Sequence, residues 1–454
     1  MKSSANELAS DLLISLDPVY LIRDVLGYDV EPHHEKILKH ITTNKRTCDL
    51  APRGFGKSTI GDIGYCIWRI TQDRNIRILI VSNTQSQAEA FLREIKAQLE
   101  GNPRLIEMYG SFRSDKWAES EITVSGRTTV AKEATITALG ASGSVITKHF
   151  DLIVPDDIVD FENARTELQR KKLSEWYRTA LLPTLEPHGD IHILGTRYNP
   201  LDLYQDVTDG KQYDVQIQSA IQSDGTSLWS SKFPIEILLK IREELGSIIF
   251  SMQYQNDISL AKQGKIFRFE WMQFYNNVSE LPAPLHQLKI FQGVDLAISE
   301  RETADYFVIV TIGIVVTGEI YVLDYFRDRI SFKVQKETIV LKAAQWQPIR
   351  IGIETNQYQR ALAQELVRTT TLPIKELDTV KDKVTRAQRR SALFENHKVY
   401  LRRDMTAMVD ELCLFPDAPH DDLFDGFDFA ITVSEQGAVN TDRYMHFVTS
   451  KRKW

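Results

Sequence analysis

The run Ala51-Pro52-Arg53-Gly54-Phe55-Gly56-Lys57-Ser58-Thr59 brings together the groups needed to hold a polyphosphate. Gly54 and Gly56 let backbone amides turn inward around phosphate oxygens, Lys57 reaches the β- and γ-phosphates, and the Ser58 hydroxyl can ligate Mg²⁺. Thr59 follows in the same turn and is counted with the nucleotide-binding set. Arg53 offers a planar fork to phosphate oxygens and reads either as a charge stabiliser acting in cis or as a loop anchor paired with a carboxylate. Ala51 stands where this pattern usually has glycine, and it is a poor substitute if the position needs a positive φ. The chemistry these residues specify is that of a nucleotide-driven enzyme.

A second piece of that chemistry lies downstream. Leu152, Ile153 and Val154 lead through Pro155 into Asp156-Asp157, an apolar strand ending in paired carboxylates. Asp156 would hold Mg²⁺, directly or through water, and Asp157 would orient or deprotonate the attacking water. Gly195-Thr196-Arg197 closes the next apolar strand, which places the Thr196 hydroxyl and the Arg197 guanidinium near a γ-phosphate as a coupling element. A polar cap at a strand end is the alternative. His33, His34 and Glu35 precede the first strand and read as exposed helix-start residues, with adenine contact as the other option.

A separate set of acids occupies the C-terminal part. Asp295 ends the strand Phe291-Gln292-Gly293-Val294-Asp295, Glu354 ends Ile351-Gly352-Ile353-Glu354, and His420-Asp421-Asp422-Leu423-Phe424-Asp425 opens a late helix. Adjacent parallel strands put Asp295 beside Glu354, and Asp422 and Asp425, three apart on one helical face, can close the site from above. Asp421 and Asp428 remain alternatives for completing it. Such a cluster holds two divalent metals, Mg²⁺ or Mn²⁺, one activating water and the other stabilising the leaving oxygen of a phosphodiester. His420 could assist a metal or leaving group, but a helix-start histidine is the plainer reading. Between residues 381 and 403 lies the densest basic stretch, with Lys381, Lys383, Arg386, Arg389 and Arg390 as candidates for contact with the DNA backbone. A solvated helix face is the alternative.

The elements that must position these groups can be traced from periodicity. Short β-rich runs at 48–51, 77–82, 149–154 and 190–196 alternate with helical stretches from 57, over 85–99 and over 167–182. That alternation predicts an α/β fold whose mainly parallel sheet binds ligands at the carboxyl ends of its strands. Periodicity weakens near Gly264, Pro282 and Pro284. The expected division is therefore a P-loop (ASCE-type) ATPase domain over 1–258, a seam over 259–287 and a second domain over 288–454. Its opening runs at 288–297, 306–316 and 319–326 read as three antiparallel strands, and the order βββαβαβα that follows is that of an RNase H-like fold.

A chain of 454 residues is too long for one ordinary core, and its net charge of −7 confines any DNA contact to local patches. Cys48, Cys66 and Cys413 lie far apart without metal-binding spacing and read as reduced, buried thiols. The N-terminal residues lack a signal-like apolar core and the longest apolar run is too short to span a bilayer, so a soluble intracellular protein is expected.

With both constellations in order, the chain resembles the large terminase subunits of tailed bacteriophages. That resemblance rests on the loop 51–59 with its arginine, the 152–157 and 195–197 segments, and the acids of 293–295, 353–354 and 420–425. It implies cleavage of concatemeric viral DNA and ATP-driven pumping of double-stranded DNA through a portal into a procapsid. It also implies a small terminase partner, a homo-oligomeric ring on the portal (with a monomer in solution as an option) and residence in the host cytoplasm rather than in the mature virion. A helicase-like ATPase fused to a repair nuclease is the competing expectation, and a packaging adaptor with decayed sites is disfavoured because the key acids and Lys57 are intact.

Overall fold

The computed structural model describes residues 17–145, 147–296, 306–354, 360–377, 382–418 and 420–436. Its contacts divide into two compact units, the first built on residues 1–241 and 250–262, the second on 242–249 and 263–453.

The strands of the first unit are β1 (Arg46–Leu50), β2 (Ile78–Ser82), β3 (Glu121–Ile122), β4 (Ile136–Gly140), β5 (Phe150–Asp156), β6 (Leu185–Gly195) and β7 (Asp214–Ile217). They form a seven-stranded sheet in the order β3-β4-β2-β5-β6-β1-β7, parallel throughout except for the β3 edge. Strand residues alternate between two cores: Ile78, Ile80, Leu152 and Val154 face one, and Leu79, Val81 and Ile153 the other. Both faces are therefore buried, as a parallel sheet requires, and the strands read as nearly continuous apolar runs. Helices α1 (Pro32–Thr43), α2 (Cys66–Gln72) and α3 (Gln85–Gly101) supply apolar stripes to the first of these cores. One strand, β6, separates β1 from β5, the strand order of ASCE-type P-loop ATPases.

In the second unit, strands β9 (Lys289–Asp295), β10 (Phe307–Ile314) and β11 (Ile320–Asp328) run antiparallel, while β12 (Arg350–Glu354), β13 (Ile374–Leu377), β14 (Val399–Arg402) and β8 (Gln273–Tyr275) add in parallel at the flanks. This sheet is also seven-stranded, ordered β13-β12-β9-β10-β11-β14-β8. The architecture is that of an RNase H-like sheet. Helices α4 (Phe332–Trp346), α5 (Lys383–Glu395), α6 (Thr406–Leu414) and α7 (Asp422–Glu435) accompany it. The expected seam is corrected here: β8 pairs with β14, so residues inside 259–287 form part of the second sheet rather than a linker. Gly264, Pro282 and Pro284 interrupt periodicity because the segment is short turns around a three-residue edge strand, which leaves no pattern to read.

One close approach sets the second site. A Cβ at Gly293 would lie 2.0 Å from the Gly426 carbonyl and 2.4 Å from the Ala430 nitrogen, so α7 lies directly on β9 and brings its acidic first turn over the end of that strand. Gly293→Ala is expected to lift α7 from the sheet and destabilise the second unit by at least about 2 kcal/mol, because the obstacle is backbone that cannot rotate aside. Thermal melts followed by circular dichroism check this, and an unchanged transition would mean that α7 has room to move.

Candidate active sites

In the first unit, β1 ends at Leu50 and the chain turns through Gly54 (φ +80°) and Gly56 (φ +76°) into a helix that begins at Lys57. That helix has π-type turns over Thr59–Tyr65 before continuing as α2. Ala51 has no positive φ, is fully buried and donates its N–H to the Gly195 carbonyl at 3.0 Å, so the missing glycine leaves the loop unstrained. Phe55 stacks on Phe233 with ring centroids 4.6 Å apart. Its carbonyl accepts from His33 Nε2 at 3.2 Å and His34 Nε2 at 2.8 Å.

Both histidines are buried, against the expectation of exposed helix-start residues. Burial pushes each down to about 4, with the neighbouring His34 adding to the effect on His33, and both rings brace the loop in the neutral form. The apolar surroundings that bury them are contributed by Phe55 and Trp229, far apart in sequence. His34 also lines a cavity of about 220 Å³ with Tyr28, Gly56, Thr59, Trp229 and Lys232, and the Lys232 ammonium stands 4.5 Å over the Trp229 ring.

Lys57 is buried and its Nζ lies 2.8 Å from Asp157 Oδ2. Asp157 takes φ +43° at the end of β5, which turns its carboxylate out of the strand line toward the loop. Burial and the charge of Asp157 push Asp156 up to about 6, opposed by Lys57. Ser58 stands beside Asp156 in the first helical turn. The sequence reading missed Asp62, fully buried on the same helix and pushed well above the carboxylate range by burial and by Asp156. An acid inside the apolar run Ile60–Ile63, one turn past Lys57, was the available signal. The Asp62 and Asp156 carboxyls lie within hydrogen-bonding reach of each other, with the Ser58 hydroxyl on Asp156. Buried oxygens of this kind beside a phosphate-binding lysine suit a nucleotide-bound Mg²⁺.

Two expectations change. The Thr196 hydroxyl donates to the Ala51 carbonyl at 3.0 Å, and the Arg197 guanidinium is buried against Asp202, Gln205 and Thr208. Neither is aimed at a γ-phosphate position: Thr196 ties β6 to the root of the loop, and Arg197 is consumed by acceptors on the next helix. Arg53 pairs with the Gln253 side chain at 3.3 Å, and its N–H with the Gln253 carbonyl at 3.0 Å, so it is anchored by an amide and not by a carboxylate.

In the second unit, Ile353 pairs with Val294 across parallel strands, which sets Glu354 next to Asp295 as the spacing predicted. Burial pushes the Asp295 carboxyl well above its ordinary range, with Asp425 and then Glu354 adding to it and Lys383 opposing. Asp425 is buried, Lys383 bridges it to Asp421, and Arg386 bonds Asp425 and Asp428 at 2.6 Å each. Arg390, also buried, bonds Asp428 at 2.6 Å and Glu435 at 2.7 Å.

The basic stretch is therefore corrected: Lys383, Arg386 and Arg390 project onto the acidic face of α7 rather than toward solvent. Arg389 is the exposed member, 3.6 Å from Glu435, and Lys381 lies outside the described residues. These cations pair with carboxylates of another helix, a pairing that charge density along the chain cannot reveal.

Asp422 is buried too, with Oδ2 4.0 Å from Arg327, and Arg327 also lies 3.5 Å from Glu411. Glu411, not anticipated, accepts the Phe424 N–H at 2.9 Å and is pushed up to about 7 by burial, with that bond and Arg327 opposing. Among the described residues no three Asp, Glu, His or Cys side chains gather closely enough to hold one metal ion. Asp295 and Glu354 are adjacent, but Asp425 is engaged by Lys383 and Arg386 and Asp422 lies on the Arg327 side. The donor chemistry suits a divalent cation, and the four-acid arrangement expected for two is not assembled.

Fold and sites together define a P-loop ATPase-type unit followed by an RNase H-like unit with paired strand-end acids. Residues 292–432 match the Terminase RNaseH-like domain family. Over 182 residues the chain is 27% identical to the large terminase subunit of Enterobacteria phage T3, a match spanning 39% of this chain and 30% of that relative. The large terminase of a thermophilic bacteriophage has a similar fold, with a TM-score of 0.53 at 10% identity over 89% of this chain and 100% of that one. The same phage protein in complex with ATP-γ-S gives 0.52 at 10% identity, over 88% and 98%. In sequence and fold, then, the chain is similar to the large terminases of phages.

The carboxyls of Asp62 and Asp156 are raised in the folded chain, so the folded state retains protons that the unfolded chain has released. Their contribution to stability is full below the ordinary carboxylate range and is lost as pH rises, through about 6 for Asp156. Asp62→Asn removes one of the two charges and is expected to raise the melting temperature by a few degrees at about pH 8 and by less at about pH 4. Melts across pH check this; equal gains at both ends would show that Asp62 carries no charge when folded.

Proposed function

We propose that this chain is the large subunit of a viral terminase, moving double-stranded DNA into a procapsid through the portal at the expense of ATP and cutting concatemeric DNA. The observation that carries the reading is a conjunction in one chain: Lys57 faces Asp156 and Asp157 at the ends of β1 and β5, and Asp295 lies beside Glu354 inside a segment matching the terminase nuclease family. A small terminase subunit, a portal and a homo-oligomeric ring on it, assembled in the host cytoplasm, complete the proposal.

On the nucleotide side, the triphosphate lies in the loop between Gly54 and Thr59, and the cavity beside His34 and Trp229 takes the base. The thermophilic phage relative in complex with ATP-γ-S supports a nucleoside triphosphate as the ligand. A bound Mg²⁺ would supply charge neutralisation and would be held by Ser58 and Asp156, with Asp62 behind them. An incoming phosphate competes with Asp157 for the Lys57 ammonium. That exchange releases the Asp157 carboxylate to accept a proton from the attacking water, so the base is freed only when substrate is present.

On the nuclease side, a divalent cation would supply Lewis acidity and an activated water, held by Asp295 and Glu354. Lys383 and Arg386 hold the charge of Asp425 and keep the α7 turn over the strand ends.

Lys57→Ala is expected to lower ATP turnover on the order of 10²-fold or more, since it removes the buried cation that faces Asp156 and Asp157 at the loop. Turnover close to the unaltered chain would show the loop to be misassigned. Separately, Asp295→Ala should abolish Mg²⁺- or Mn²⁺-dependent cleavage of plasmid DNA while ATP hydrolysis continues. If both activities collapsed in a protein that still melts cooperatively, the acids of the two units would not be independent centres.

A further inference from the structure

Beside the acid pair, on the same face of the second sheet, lies a cluster that the proposed reaction does not use. Asp295 pairs with Val308 across β9 and β10, and Val308 pairs with Arg327 across β10 and β11, so these side chains form one row on the face covered by α7. Two strand spacings put the Arg327 backbone roughly 10 Å from that of Asp295. The Arg327 guanidinium carbon stands 4.2 Å from the Tyr306 ring centroid, and that of Arg329, two residues on, stands 4.0 Å from the same centroid. His420 meets Tyr306 edge-on with centroids 4.9 Å apart. His420 is exposed, and Tyr306 and Arg329 are partly so.

Two guanidinium groups are drawn to one aromatic ring. The ring holds each guanidinium plane in place, which lowers the ordering cost of a bidentate hydrogen bond to phosphate oxygens. Arg327 is further fixed by Glu411 and Asp422, whereas Arg329 and His420 face the rim.

We infer that Tyr306, Arg327, Arg329 and His420 form a phosphate-binding shelf for the strand of duplex DNA that leads into the Asp295 and Glu354 centre. The inference rests on the nuclease reading above. A strand advancing roughly 3.4 Å per nucleotide along the duplex covers the distance from the acid pair to the shelf in about three nucleotides. The shelf takes over the role that sequence alone assigned to Lys383, Arg386 and Arg390, whose charges are committed to α7. Arg327 acts as a positioning residue, joining the shelf to Asp422 and Glu411, while Arg329 and His420 make the backbone contacts.

The test uses the full chain carrying Asp295→Asn, so that DNA is bound and not cut, with a short fluorescein-labelled duplex titrated across a potassium chloride series. Arg329→Ala is expected to weaken binding about tenfold, what one charge-assisted hydrogen bond to phosphate contributes, and to make the salt slope shallower by about one. Tyr306→Ala should weaken binding too, and Arg329→Lys should retain the slope. Arg329→Gln, nearly the size of arginine, serves as the second variant, with melting temperature and ATP turnover reporting on folding. If Arg329→Ala, Arg329→Gln and Tyr306→Ala all bind as the Asp295→Asn chain does, with the same slope, the shelf is overturned and the nuclease reading stands. A folded Asp295→Asn chain that fails to bind duplex at all overturns that reading and the shelf with it.

Discussion

Carboxylates held close together in a packed interior are the constraint around which both units are built. Like charges at such separations, shielded from water, raise one another's proton affinity and push their elements apart. In the first unit Asp62, Asp156 and Asp157 surround Lys57, whose charge persists because burial, which disfavours it, is outweighed by Asp157 and Asp156. In the second, Asp295 and Asp425 lie near Lys383, whose charge is favoured by Asp425 and Asp421 in the same way. Each arrangement is poised for a cation or a phosphate to redistribute the charge.

The backbone delivers these groups by different means. Parallel strands of the first sheet end together, so β1 and β5 present the loop and the acid pair at one edge with β6 between them. The helix after the loop then adds Asp62 from below. In the second sheet the strand-end pair comes from the register of β9 and β12, and the third carboxylate comes from α7, whose close seat on β9 depends on the absence of a side chain at Gly293. The ladder of Lys383, Arg386 and Arg390 against Asp425, Asp428 and Glu435 then locks α5 to α7. Such pairs specify geometry more than they stabilise, because much of their attraction is spent on desolvation.

Cations were the residues whose roles changed most between sequence and structure. A lysine or arginine in a charged run looks solvent-facing until the acids of another element are packed against it. Arg197 illustrates the same point: it follows a strand end where a phosphate sensor would sit, yet its guanidinium turns to Asp202, Gln205 and Thr208 on the helix that follows. Arg327 and Arg329 show the converse, being scarcely noticeable in sequence and brought to one tyrosine by strand pairing.

Spacing and residue type determined a good deal. The loop around Lys57, the acid pair ending β5, the two strand-end acids Asp295 and Glu354, and the α/β character of both halves were legible because each depends on local order: apolar alternation, a turn that needs glycine, and a carboxylate where a strand runs out. Tertiary structure alone decided the burial of His33 and His34, the place of Asp62 and Glu411, the membership of β8 in the second sheet, and which of the α7 acids face Asp295. Those outcomes depend on which distant side chains are packed against a charge or a ring. Solvation and pairing energies that exist only between elements cannot be written into the order of residues along one of them.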